Sequence, residues 1–425
     1  MAVPIVALSA AEEAAQRTTA VPSWSDRALD VARGSAIFTV VTAPMSTAAA
    51  SFGSAVFIAA LLLSGRIHHI AVDAWRQPAG KALVAFLAWL LVSASWNDAG
   101  LAAGIRDFWA WRKLIYLYLA LPLFTDPRWK HRALVALVQV SALAVVLSYL
   151  AFAGWIPGRF DTAGVVYTNY AIQGAAFALA ALCALPLAMS ATGRRRAWFA
   201  VLAAALVVDV LFFNFGRTGY LALVGATLAW AVLAGGWRAT LASSAGLAVL
   251  LALAYVLSPT FHERITRGWE EVRQANTLKT ETQMGIRVIF LENSLALIRE
   301  HPIVGHGLGS FKRVYANYVE ARGESGVRAT PAGDPHNQYL YIVFEHGLIG
   351  LALFFVMIAG LYKTFPRDPY GRLAACALTA WCLTSLFSSH FRTFPEGHFY
   401  AFFIAILGAP RSSPRSASAV PVSAA

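Results

Sequence analysis

Ala133–Ala153 reads ALVALVQVSALAVVLSYLAFA, 21 residues without a charge. As an α-helix rising 1.5 Å per residue it extends about 31 Å, the thickness of a bilayer's hydrocarbon core. Runs of the same kind recur along the 425 residues, Ala82–Ala94 and Leu241–Leu257 among them. The composition agrees: 58% apolar residues, 13% charged and a mean hydropathy of +0.58, where soluble chains carry about 25% charged residues. Disorder, collagen and disulfide scaffolds are excluded by that composition, and a β-barrel by the lack of ~10-residue alternating segments. The expected fold class is an all-α polytopic integral membrane protein.

Apolar length, Gly and Pro breaks and charge clusters outline twelve spans, at 35–48, 52–64, 82–96, 106–124, 133–154, 166–189, 197–213, 218–235, 239–257, 337–361, 373–388 and 397–409. The chain then divides into an N-terminal tail (1–34), nine spans (35–257), a large loop (258–336), three spans (337–409) and a C-terminal tail (410–425). Residues 1–34 lack the basic start and small-residue cleavage site of a signal peptide, so they read as a cytoplasmic tail. On alternate sides of these spans, eighteen lysines and arginines face four, the four being Arg106, Arg159, Arg217 and Arg392. The positive-inside rule puts the richer side in the cytoplasm. The formal charge of +12 therefore lies in membrane-flanking loops and does not signal nucleic acid. Cys183, Cys376 and Cys382 sit in apolar segments without metal-ligand spacing and read as buried hydrophobes.

The loop Ser258–His336 is the one long polar stretch, 79 residues with ten basic and nine acidic side chains, on the non-cytoplasmic side. Met284–Glu300 repeats its apolar residues at three and four, predicting an amphipathic helix that His301-Pro302 ends. Gly305-His306-Gly307-Leu308-Gly309 makes a turn, and Ser310–Ala321 a second helix. An ordered cap is expected, since long loops without structure of their own are uncommon.

Asp334-Pro335-His336-Asn337-Gln338 runs straight into the tenth span, with Glu345-His346-Gly347-Leu348-Ile349-Gly350 after it. Asp334 suits an N-cap and Pro335 the first helical position, which puts His336 in the first turn, where the helix dipole keeps an imidazole neutral and able to accept a proton. Taken alone, such a histidine is equally a solvated cap residue. Asn214-Phe215-Gly216-Arg217-Thr218-Gly219-Tyr220 fills a short outer turn. Arg217 there is either a snorkelling side chain or, beside a fresh helix N-terminus, a clamp for phosphate. Arg287, on the amphipathic helix, offers the same chemistry or pairs with Glu281 or Glu292. Arg112 and Lys113 lie inside an apolar span, where charge costs ~2.5–3.5 kcal/mol each at mid-bilayer, and suit a cavity wall. Arg159, in the turn before the sixth span, completes a basic set on one side, with Asn337 beside His336. No acidic pair at metal-binding spacing stands near an outer span end, so no metal or cofactor is called for.

The Gly216–Gly219 turn, Arg287 followed by His301–Gly309, and Pro335-His336-Asn337 with Gly347 and Gly350, in this order between many apolar spans, resemble the O-antigen ligase/polymerase superfamily of Gram-negative envelopes. The resemblance covers about Phe213 to Gly350. It implies a C-type glycosyltransferase-like fold in the bacterial inner membrane with its site on the periplasmic face. The implied donor is a glycan on undecaprenyl diphosphate and the implied acceptor lipid A–core, with membrane lipids the other partner. It also implies a metal-independent, inverting displacement, the family's essential histidine falling on His336 and its diphosphate-binding arginines on Arg217 and Arg287. Gly216 departs from the serine that often precedes the arginine. A compact single outer loop favours the ligase branch over a repeat-unit polymerase or a protein O-oligosaccharyltransferase. A secondary transporter or lipid flippase, also compatible with twelve spans, would be expected to show a repeat between its halves, and none is obvious.

Overall fold

The computed structural model describes residues 22–97, 100–274 and 281–410; most of both expected tails (1–21 and 411–425) and Asp98 lie outside the described residues. Among the described residues every regular element is a helix. Six helices are long and apolar enough to cross a membrane, and a seventh crossing arises if Thr47–Leu63 and Ile67–Trp75, bent by 104° at their junction, count as one. The architecture is that of a polytopic membrane protein.

In chain order the first helices are α1 (Trp24–Thr42), α2 (Thr47–Leu63), α3 (Ile67–Trp75), α4 (Pro78–Ser93), α5 (Leu101–Phe108) and α6 (Arg112–Ala120). Then come α7 (Pro127–Phe152), α8 (Tyr170–Ser190), α9 (Gly193–Val208) and α10 (Arg217–Leu257). The loop region holds α11 (Pro259–Arg273), α12 (Gly285–Ile298) and α13 (Phe311–Ala321), and the chain closes with α14 (Gln338–Thr364), α15 (Pro369–Thr384) and α16 (Phe394–Gly408).

Several boundaries differ from the sequence reading, and three of them have a visible local cause. α1 begins at Trp24, inside the expected tail, because Ser23 and Asp26 form a reciprocal capping box. The expected span 106–124 is interrupted: Trp109–Trp111 is a 3-10 turn, and Arg112 opens a fresh helix instead of lying within one. α11, which the pattern reading did not single out, starts where the Ser258 hydroxyl accepts the Phe261 N–H.

The 41 residues of α10 would be about 60 Å long as a straight helix. Gly236, at φ 68° and ψ −168°, breaks it. Its two ends meet: the Ser258 hydroxyl donates to the Leu211 carbonyl at 3.2 Å, just ahead of Arg217, and the Tyr220 and Phe261 rings stand 4.6 Å apart. The break is therefore a reversal, dividing α10 into antiparallel halves at the expected boundary between 218–235 and 239–257.

α8 is the central post, buried along most of its length by Ala, Leu and Gly. A Cβ at Gly174 would come within 2.7 Å of the Gly219 Cα, so α8 and α10 cross backbone to backbone. That crossing brings Tyr170, first residue of α8, and Arg217, first residue of α10, to one end of the bundle. α14 is broken at Gly347 (φ 66°), which frees backbone groups inside the apolar layer. The loop after α12 satisfies them: His306 N donates to Phe344 O (2.8 Å), Gly307 N to Glu345 O (2.9 Å), and Leu348 N donates to Pro302 O (2.9 Å). Gly305–Gly309 is thus a backbone splint for a broken helix. Cys183 and Cys376 are buried and Cys382 half-buried, all three as free thiols.

Candidate active site

α14 begins three residues later than its sequence suggests. Asn337, not Asp334, is its N-cap: the side-chain carbonyl accepts from Tyr339 N and Leu340 N, each at 3.0 Å, while Nδ2 donates to Leu386 O at 3.0 Å. Pro335 is therefore outside the helix, and His336 stands before the cap instead of in the first turn. His336 has φ 54°, a left-handed backbone that a non-glycine residue adopts at a cost of roughly 1–3 kcal/mol. Asp334 Oδ1 accepts the His336 N–H at 2.6 Å and the Ser389 hydroxyl at 2.9 Å.

The imidazole is open to solvent on one side and lies over the Phe290 ring on the other, 6.0 Å between centroids and 21° between planes. Phe290 is three residues after Arg287 on α12, so both project from one face toward His336. Partial burial holds the imidazole below its ordinary value of 6.5, Asp334 opposes this, and Arg287 adds to it. Neutrality at His336 thus comes from its surroundings, not from the α14 dipole.

Arg287 is itself held below its usual range, first by burial and then by the like charge of Arg217. Among the described residues its hydrogen-bond contact is the Met284 sulfur, 3.5 Å from Nη1. Glu281 instead accepts from the Thr330 hydroxyl, and Glu292 pairs with Arg328 at 3.1 Å. Arg217 donates through Nε and Nη2 to the Arg264 carbonyl, at 3.3 and 3.0 Å, across α11. It fits because residue 268 is glycine: a Cβ there would meet Nη2 at 2.7 Å. Arg217 Nη1 is buried with no hydrogen-bond partner among the described residues. The structure therefore brings His336, Arg287 and Arg217 into one electrostatically connected group, in which two guanidiniums act on each other, the Glu271 carboxylate acts on both, and one buried Arg217 donor has no partner among the described residues. Such a group suits a ligand with several negative oxygens.

The other candidates have different surroundings. Arg112 donates to Trp109 O (2.7 Å) and lies 5.3 Å from the Trp109 and Phe394 rings. Lys113 is buried, its ammonium donating to the Ala110 and Arg392 carbonyls, so it props a turn. Arg159 is exposed and donates to Met45 O at 2.9 Å, tying the α7–α8 turn to the α1–α2 turn. Asn337 touches the site only as a helix cap.

The sequence reading missed the turn between α15 and α16. It supplies Ser389, the buried His390, whose Nδ1 lies 3.0 Å from the Thr384 hydroxyl, and Arg392. Arg392 pairs with Asp107, reaches Asp334 at 3.7 Å and lies 3.8 Å over the Tyr341 ring, whose hydroxyl donates to Asp107 at 3.3 Å. The available signal was His390-x-Arg392 in a short turn between two apolar spans. Among the described residues no group of three or more His, Cys, Asp or Glu has an arrangement that would hold a metal ion.

No curated protein matches the chain. A family model described as O-antigen ligase matches residues 202–355, a stretch that takes in Arg217, Arg287, the splint loop, His336 and the Gly347 break. That match supports membership of the O-antigen ligase superfamily, whose members act as glycosyltransferases on lipid-linked glycans in the membrane.

Proposed function

We propose that the chain is an O-antigen ligase, moving a polysaccharide from undecaprenyl diphosphate to a hydroxyl of lipid A–core on the periplasmic face of the inner membrane. The reading includes the twelve crossings and the C-type glycosyltransferase fold. The observation that carries it is the convergence of His336 with Arg287 and Arg217, which are 49 and 119 residues away in sequence, on three separate elements.

In this reading the neutral His336 imidazole accepts the acceptor hydroxyl's proton as that oxygen bonds to the anomeric carbon. The bond from that carbon to the diphosphate oxygen breaks on the opposite face, inverting the configuration. The departing lipid diphosphate gathers negative charge, which the guanidiniums of Arg217 and Arg287 stabilise from fixed positions. Imidazolium next to Arg287 is disfavoured, so the proton passes on to solvent through the open side of His336. No step draws on a metal.

The test supplies purified protein with the lipid-linked glycan and lipid A–core. Glycosylated lipid A–core is the expected product. Lengthened lipid-linked glycan would make the chain a polymerase. No glycolipid, with movement of the lipid-linked glycan across vesicles, would make it a transporter.

A further inference from the structure

Asp334 is one carboxylate engaged in three directions. One oxygen accepts the His336 N–H and the Ser389 hydroxyl, at 2.6 and 2.9 Å, and the other faces Arg392 at 3.7 Å. Arg392 is in turn anchored by Asp107 and the Tyr341 ring, and its carbonyl is held by Lys113. The run from Lys113 through Arg392 to Asp334 ends at the one residue beside the cap whose backbone is left-handed without being glycine, His336. A strained conformation persists where its surroundings over-determine it, and here the carboxylate supplies the constraint.

We propose that Asp334 is the positioning residue of this site: tied to Ser389 and Arg392 on the turn before α16, it locks the His336 backbone and so fixes the imidazole against Phe290 and in front of Arg287. The inference deepens the reading of His336 as the base and rests on it. The charged and titratable groups around the imidazole are Asp334 on its own segment, Arg287 on α12 with Arg217 behind it, and His390 and Arg392 on the turn.

The test takes the full-length protein in nanodiscs with Asp334→Asn, Asp334→Ala and Asp334→Glu. Each is assayed for transfer from about pH 5 to 8, and His336 is titrated by NMR of histidine-labelled protein, its signal assigned by loss in His336→Gln. Asp334→Asn is expected to move the His336 titration and the acidic limb of kcat to lower pH, because the charge favouring imidazolium is gone. Asp334→Ala, lacking the acceptor, is expected to lower kcat roughly 10–100-fold with the donor KM unchanged. Asp334→Glu should recover part of that rate.

An unmoved His336 titration together with parental kcat in Asn and Ala variants overturns the proposal. So does a loss in Asp334→Ala that is fully explained by a smaller folded fraction. Failure of the base reading is distinguishable: His336→Gln would then transfer glycan normally, while the NMR titration still reports whether Asp334 governs the imidazole.

Discussion

Two sets of cations flank His336, and they are treated differently by the fold. Behind it, Lys113 is buried and met by two carbonyls, and Arg392 is mostly covered and met by Asp107, Asp334 and the Tyr341 ring, although its Nε has no hydrogen-bond partner among the described residues. Lys130, elsewhere in the bundle, follows the same pattern, donating to Leu407 O and Ala409 O at the end of α16. In front of His336, Arg217 keeps a buried nitrogen without a partner among the described residues, and Arg287 Nη1 donates to the Met284 sulfur. Burial alone therefore does not separate a structural cation from a binding one. What separates them is what faces the guanidinium: Arg392 is met by two carboxylates and a ring, whereas Arg287 faces the like charge of Arg217.

The comparison is broken or sharpened by substitution. His336→Ala sets the largest effect: glycan transfer should fall ~10²–10⁴-fold while expression stays near parental, as measured by product formation per folded protein. Arg217→Ala and Arg287→Ala should each lower kcat ~10²–10³-fold with little change in melting temperature, since neither removes an internal ion pair. Parental kinetics in both would show that these two cations are surface features. Arg392→Ala should invert that pattern, destabilising the fold by ~1–3 kcal/mol because the partly covered Asp107 and Asp334 are left without their cation. Thermal unfolding reads it, and a fully stable Arg392→Ala would erase the distinction between the two sets.

Much of this was legible in the residues. Apolar length pointed to a polytopic helical membrane protein, the three-and-four spacing of Met284–Glu300 gave α12 and the stretch Ser310–Ala321 after the glycine turn gave α13, both to within two residues. His336 and Arg217 stood out because each stands at the outer end of an apolar span, and Arg287 because it is a basic residue on the amphipathic helix of the outer loop. Arg392 did not, because nothing in its local sequence shows that Asp107, 285 residues earlier, lies against it. The α14 start was misjudged for a local reason. Asp334 and Asn337 are both good caps, and the choice between them was made by Leu386 O, which holds Asn337 Nδ2, and by Ser389, which draws Asp334 away. The role of Gly305–Gly309 depends on the break at Gly347 and could be read only once both were in place.

Acidity gives a smaller test of the same contrast. His336 and His390, on the two sides of Asp334, are both held below the ordinary value of 6.5 by burial. The unfolded chain therefore takes their protons first as pH falls, so stability from these two groups is present above about 6.5 and declines below it until the folded-state values are passed. Transfer, which needs neutral His336, should hold below pH 6.5 before declining. A kcat profile whose acidic limb lies above 6.5 would contradict the environment described for His336.

The smallest effect is expected at Arg159. Like Arg217 it was read from the sequence as an outer-side arginine between apolar spans, and like Arg217 it donates to a backbone carbonyl, but it is exposed and lies in the connection between α7 and α8. Removing one exposed hydrogen bond to Met45 O should change stability by no more than ~0.5 kcal/mol and leave transfer unaltered. The two arginines are therefore a useful pair, equal in type and in expected side of the membrane and different in what the fold brings near them. A tenfold loss of transfer in Arg159→Ala, with the folded fraction unchanged, would mean that an exposed, answered guanidinium takes part after all, and that what the fold sets against a guanidinium is the wrong criterion for sorting the cations of this protein.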